Sequence, residues 1–187
     1  TTKVTPTKKN LNKFRNQYLS AIRRAADSTP FITDKMPHNF LYLGLVCSSL
    51  PEAKIVHVQR DPRATCWSNY KHFFPSRSIG YCYDLNDVVK YYRMYQELIK
   101  YWEGLYPDRI FSICYDDLTK NQEMETRKLI SHLDLVWEKD CLYPHKNKRF
   151  VRSASSQQVR EKVYQNSSIQ WLKFQNFIGG AFDSFNK

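Results

Sequence analysis

Lys54-Ile55-Val56-His57-Val58-Gln59, followed at once by Arg60-Asp61-Pro62-Arg63, decides how this 187-residue chain is read. Ile55, Val56 and Val58 are β-branched and sit in a short apolar run, which predicts a strand. Asp61 is a good helix N-cap, and Pro62 suits the first helical position, where an N–H has no partner to lose. The stretch therefore predicts a strand, a sharp turn and a helix running to about Phe74. In parallel α/β sheets such junctions form at strand carboxyl ends, where helix N-termini turn their amides toward ligands.

Working outward, the pattern alternates. Leu11, Phe14, Tyr18, Ile22 and Ala25 recur at helical spacing and predict an amphipathic helix over residues 11–26, ended before Pro30. Phe31-Ile32-Thr33 predicts a short strand, and 39–49 a helix with Phe40, Leu43 and Val46/Cys47 on one face. Beyond a looser segment, Pro75 to Cys82, Asp84 caps the longest helix. Its stripe of Leu85, Val88/Val89, Tyr92, Tyr95, Ile99 and Trp102 ends near Gly104. Arg109 to Tyr115 (RIFSICY) predicts another strand, Asn121 opens a helix to about Leu133, and residues 168–177 read as a last helical stretch. Helices alternating with strands predict an α/β fold with a mostly parallel central sheet. There is no internal repeat or linker, so residues 1–187 read as part of one domain.

Composition narrows the chemistry. Lys+Arg 29 against Asp+Glu 18 gives a net charge of +11, which favours phosphate-bearing or otherwise anionic partners over neutral ones. A solubility surplus would give the same figure. Locally, Lys146, Lys148, Arg149, Arg152, Arg160 and Lys162 concentrate the charge. The five glycines (44, 80, 104, 179, 180) build neither GxGxxG nor GxxxxGK[ST], so this sequence contains no Gly-rich phosphate loop. Five cysteines without CxxC spacing argue against a zinc site or disulfide framework and for reduced thiols in a cytoplasm-like compartment. No apolar run approaches the roughly 18 residues of a membrane-spanning helix.

Three junctions carry candidate chemistry. Lys35 follows the Phe31–Thr33 segment, Arg60 follows the KIVHVQ strand with Ser68 two turns into the next helix, and Tyr115 ends RIFSICY. A cation, a guanidinium with a hydroxyl, and a phenol could surround a multiply charged anion. Each read singly is also an ordinary surface charge, solvated hydroxyl or capped core aromatic. His38 stands three residues beyond Lys35 at a helix start, where a histidine is more often structural than a base, and His57 reads as a sheet residue.

Taken in order, TDKMPHNF, IVHVQRDPRATCWSNY, YDL-x-x-YYRMYQELIKYW, RIFSICYDDL and the Ser-rich stretch Ser153 to Tyr164 with Trp171 beyond resemble the PAPS-dependent sulfotransferases. The likeness spans about Phe31 to Phe174 and leans to the branch of bacterial and tyrosylprotein sulfotransferases. The resemblance implies a P-loop-NTPase-like three-layer fold and transfer of a sulfuryl group from PAPS to a hydroxyl or amine, leaving adenosine 3',5'-bisphosphate, without a metal. By position it makes Arg60 and Ser68 the 3'-phosphate pair, Tyr115 a nucleotide contact, and Lys35 the catalytic lysine beside the donor's bridging oxygen. Phe150 to Lys162 matches the loop that closes over the nucleotide, with Ser155, Ser156, Arg160 and Lys162 as its polar contributors; relatives often have proline where Lys162 stands.

One departure is large. The family's first strand and its phosphate-cradling loop of the PRSGTT kind, which holds the 5'-phosphosulfate, have no counterpart in this sequence. The expectation is that residues 1–187 form the C-terminal major part of a single sulfotransferase domain, with more of the polypeptide upstream. A non-catalytic relative that binds nucleotides, or a nucleic-acid-binding protein using the basic surface and thirteen tyrosines, is the alternative. The aromatics fall mostly on predicted buried helix faces, which weighs against nucleic acid. The expected partner is a sulfate acceptor, with acidic ones favoured by charge. Reduced thiols favour the cytoplasm, and a eukaryotic relative would place it in the Golgi lumen.

Overall fold

The KIVHVQ segment forms strand β1 over Ile55–Gln59, and RIFSICY forms β2 over Ile110–Cys114. They pair in parallel, from Ile55 opposite Ile110 to Gln59 opposite Cys114. A parallel pair needs a long crossover. Here it contains α3 (Pro62–Tyr70) and α4 (Leu85–Leu105). The molecule is known from a computed structural model that describes residues 6–26, 29–75, 77–148 and 157–186, and within these β1 and β2 are the paired strands. The fold is α/β with a small parallel sheet, as the alternation of patterns predicts. The remaining helices are α1 (Lys8–Ala25), α2 (Leu43–Ser49), α5 (Tyr115–Lys120), α6 (Gln122–His132) and α7 (Gln175–Ile178).

The caps behave as their chemistry requires. Asp61 accepts a hydrogen bond from the Ala64 amide at 2.8 Å with Pro62 behind it, a cap that contributes about 1 kcal/mol. Asp84 accepts from the amides of Asn86 (2.8 Å) and Asp87 (3.0 Å) and so starts α4.

The chain divides into two compact units, one drawn from Thr1–Lys54 and Glu97–Arg109, the other from Ile55–Gln96 and Ile110–Lys187. In the first, Arg15 of α1 donates to the Ser49 carbonyl at 3.1 Å and pairs with Glu52 at 2.6 Å, which holds the Glu52 carboxyl below its usual range. The Trp102 indole donates to the Phe40 carbonyl at 2.9 Å. Its ring lies so close to Gly44 that a Cβ there would stand 2.6 Å from it, so glycine is the residue this approach admits.

In the second unit, Cys66 of α3, Cys82, Val88 and Val89 of α4, Ile178 and Phe182 form one core, with Trp67, Tyr92, Trp171 and Phe185 packed against it. Burying a side chain such as Val88 contributes about 1.5–3 kcal/mol. The same burial pushes the Cys66 thiol up to about 12. All five cysteines are free thiols.

Several boundaries differ from the sequence pattern. Phe31–Thr33 forms no strand: it runs without a strand partner among the described residues, Phe31 is 69% exposed, and β propensity alone cannot supply a neighbour to pair with. The 39–49 helix is divided into a 3-10 stretch, Asn39–Tyr42, and α2. α3 stops at Tyr70 rather than near Phe74: Pro75 has no N–H to give the Lys71 carbonyl and disfavours helical backbone at Phe74, so the last turn has nothing to close on. The last helical stretch is mainly 3-10, over Ser167–Phe174, before α7. α5 was not anticipated, since the strand pattern of RIFSICY runs directly into it.

Candidate functional site

Parallel pairing brings the carboxyl ends of β1 and β2 side by side, since Gln59 faces Cys114. Arg60 and Tyr115 therefore leave the sheet at the same edge, each at the start of a helix. The Arg60 guanidinium carbon lies 5.1 Å from the Tyr115 ring centroid, a cation–π contact. Its Nε–H donates to Ser168 Oγ at 2.9 Å, and Ser167 Oγ donates to the Tyr115 hydroxyl at 3.3 Å. From α4, the Tyr92 hydroxyl donates to the Arg60 carbonyl at 3.2 Å. Burial, with the neighbouring Tyr95 adding to it, raises Tyr92 well above the ordinary phenol range, which keeps it neutral and a donor. Arg60 is thus held at its backbone carbonyl, at its Nε and by the Tyr115 ring, a fixed fork suited to a phosphate.

Beside that fork opens a pocket of about 280 Å³, lined by Val58, Arg60, Thr65, Ser68, Asn69, Tyr92 and Tyr95. Thr65, with Ser68 and Asn69 one turn further on, lines it from one side of α3, and the Thr65 hydroxyl donates to the Asp61 carbonyl at 3.0 Å. The structure therefore brings Arg60 and Ser68 to one cavity and Tyr115 to the guanidinium. Asp61, the adjacent carboxylate, is occupied in capping α3.

Behind the pocket runs a polar chain within the sheet. His57 Nε2 is hydrogen-bonded to the Tyr95 hydroxyl, and His57 Nδ1 is 3.1 Å from Ser112 Oγ and 3.4 Å from Gln59 Nε2. His57 is a half-buried sheet residue, as the strand pattern predicts, but with polar partners on both ring nitrogens.

The remaining candidates are not among the residues that line this pocket. Lys35 is exposed on the segment before the Asn39–Tyr42 turn, in the other unit. Its neighbour Asp34 accepts a hydrogen bond from the Tyr18 hydroxyl of α1 at 2.7 Å, so the segment is tied to α1. Burial, then that bond, pushes the Tyr18 phenol up to about 12. His38 lies in the same unit, in edge contact with Phe40. Ser155 and Ser156 lie outside the described residues. Arg160 ends a short 3-10 turn, Gln158–Arg160, and both it and Lys162 are exposed. A second depression of about 360 Å³ on α1, lined by Asn16, Leu19, Ser20, Arg23 and Arg24, includes none of the candidates.

The sequence reading passed over Ser167, Ser168, Tyr92 and Tyr95. The two serines open a helical stretch after Asn166, whose positive φ of 67° turns the chain; paired hydroxyls at a helix start were the available signal. The tyrosines were absorbed into the core stripe of α4, and nothing in their spacing tells a pocket wall from a core face. Among the described residues no group of three or more His, Cys, Asp and Glu could hold a metal ion, and no helix is long and apolar enough to cross a membrane.

Comparison with known proteins gives the family. The profile described as "Sulfotransferase family" matches residues 7–139, a stretch that includes Lys35, Arg60, Ser68 and Tyr115 and stops short of Ser155, Ser156, Arg160 and Lys162. A protein of Aquifex aeolicus (strain VF5), described as "Uncharacterized protein", is 31% identical over 163 residues. That alignment covers 86% of this chain but 21% of the relative, so the chain spans about a fifth of the relative's length. With more than half of its residues matched to the family in order, the chain is a member of the sulfotransferase family.

Proposed function

We propose that residues 1–187 are the C-terminal major part of a sulfotransferase domain that uses PAPS, and that they hold the 3'-phosphate of the donor nucleotide. The observation that carries this reading is that Arg60 and Ser68, eight residues apart in sequence, line one pocket. A guanidinium fork and a helix hydroxyl on one wall suit a doubly charged phosphate, which neither would hold well alone. Tyr115, in cation–π contact with the guanidinium, is the nucleotide contact. Arg160 and Lys162, with Ser155 and Ser156, belong to the loop that closes over the nucleotide.

In the reaction, the bond from sulfur to the bridging oxygen of the bisphosphate breaks as a bond to the acceptor oxygen or nitrogen forms. The acceptor's proton passes to a base, and the bisphosphate leaves with the bonding pair. Lys35 is the residue that meets that developing charge. The net charge of +11 supports an acidic acceptor.

Arg60→Ala is the test. Losing a charge-assisted contact costs about 1.5–3 kcal/mol, so adenosine 3',5'-bisphosphate should bind roughly ten- to a hundred-fold more weakly. Binding of 5'-AMP, which lacks the 3'-phosphate, should hardly change. Equal losses for both nucleotides, read by titration calorimetry, would remove Arg60 from the 3' site.

A further inference from the structure

Tyr95 of α4 lines the same pocket as Arg60 and Ser68, and its hydroxyl is hydrogen-bonded to His57. Gln59 offers His57 Nδ1 an amide nitrogen, which can only donate, at 3.4 Å. Nδ1 is therefore the accepting nitrogen, and the Ser112 hydroxyl, 3.1 Å away, can donate to it as well. In a neutral imidazole the proton then resides on Nε2, the nitrogen that faces Tyr95. Nε2–H donates to the Tyr95 oxygen, and Tyr95 must give its own O–H proton elsewhere. A phosphate oxygen entering the pocket, being charged, is a strong acceptor for that proton. Tyr92, three residues earlier on α4, spends its hydroxyl on the Arg60 carbonyl, so the two pocket tyrosines have different tasks.

We infer that Tyr95 is a third donor to the anion held by Arg60 and Ser68, and that His57 is a positioning residue which fixes the Tyr95 hydroxyl as a donor. This rests on the reading of the pocket as the 3'-phosphate site and adds to it a specificity device supplied from α4 and β1. The tyrosine binds; the histidine, two bonds removed from the ligand, sets which way the tyrosine's proton points. Donors converging from α3, α4 and the end of β1 discriminate a phosphate from a ribose hydroxyl more sharply than a single arginine, because each must be left unsatisfied when the phosphate is missing.

The experiment measures binding of adenosine 3',5'-bisphosphate and of 5'-AMP to the 187-residue chain by titration calorimetry, with near-UV circular dichroism as the folding control. Tyr95→Phe, which removes one oxygen and keeps the ring, should weaken the bisphosphate about ten-fold and leave 5'-AMP unchanged. His57→Phe should reproduce that loss. His57→Gln, whose amide N–H can stand where Nε2–H stood, should restore most of the affinity. In the double variant of Tyr95→Phe and His57→Phe the losses should not add, since both act through one hydroxyl. If Tyr95→Phe binds the bisphosphate as the parent does while Arg60→Ala still loses it selectively, the pocket reading stands and the assignment of Tyr95 is overturned. If His57→Gln is as impaired as His57→Phe, the positioning role of His57 is overturned. Should the parent chain fail to prefer the bisphosphate over 5'-AMP, both this inference and the pocket reading fall together.

Discussion

Lys35→Ala, made in a polypeptide that also carries a phosphosulfate-binding loop, should lower kcat about a hundred- to a thousand-fold while the KM for PAPS changes little. The reason lies in where charge appears. Sulfuryl transfer, like phosphoryl transfer, passes through a loose transition state in which positioning and electrostatic stabilisation do most of the work. The bridging oxygen gains negative charge as its bond to sulfur stretches. An ammonium beside it is worth more in the transition state than in the ground state, and only such a difference accelerates the chemical step. The lysine is exposed, and the tie from Tyr18 to Asp34 anchors the segment that carries it. Steady-state kinetics with a single acceptor checks this. A raised KM with kcat preserved would make Lys35 a simple phosphate-binding charge.

The second large effect concerns the 187 residues on their own. They contain the Arg60 and Ser68 pair but no Gly-rich loop whose amides could cradle the 5'-phosphosulfate. Sulfuryl transfer from PAPS to tyrosine, sugar or alcohol acceptors should therefore be undetectable, even where bisphosphate binding is retained. Joining a strand and a loop of the PRSGTT kind ahead of α1 should bring transfer up from background. Preorganised amides both bind that anion and steady its charge. Radiolabelled sulfate transfer is the readout. Full activity from the 187 residues alone would mean that the 5' site has been misplaced, and none from the extended polypeptide, with bisphosphate still bound, would mark a protein that binds without catalysing.

Much of this was legible in the sequence because its signals are local. KIVHVQ followed by Asp61-Pro62 carries its own strand, cap and helix start, and the structure has all three within a residue of the expected places. The α4 stripe and Asp84 gave the longest helix equally well. What failed was non-local. Phe31-Ile32-Thr33 has strand chemistry, yet whether it pairs depends on a neighbour that its own residues do not specify. Pro75, which lacks the N–H that the Lys71 carbonyl would need and restricts Phe74, goes with a helix that stops four residues early, a competition that apolar periodicity conceals.

The site divides in the same way. Arg60 directly follows β1 and Ser68 lies about two turns into α3, so local sequence set them at one junction, while their pairing at a phosphate came from the resemblance. Ser168 lies 108 residues from Arg60 and meets it only because the 3-10 stretch packs against α3. Tyr95 could be assigned to a helix face from its spacing, but its bond to His57 requires β1 and α4 to be packed together first.

The most direct measurement is a crystal structure of residues 1–187 with adenosine 3',5'-bisphosphate bound. The account predicts the 3'-phosphate in the pocket beside α3, its oxygens about 2.7–3.2 Å from the Arg60 guanidinium and Ser68 Oγ. A nucleotide bound with its 3'-phosphate away from Arg60, or with the 5'-phosphate in that pocket instead, would contradict it.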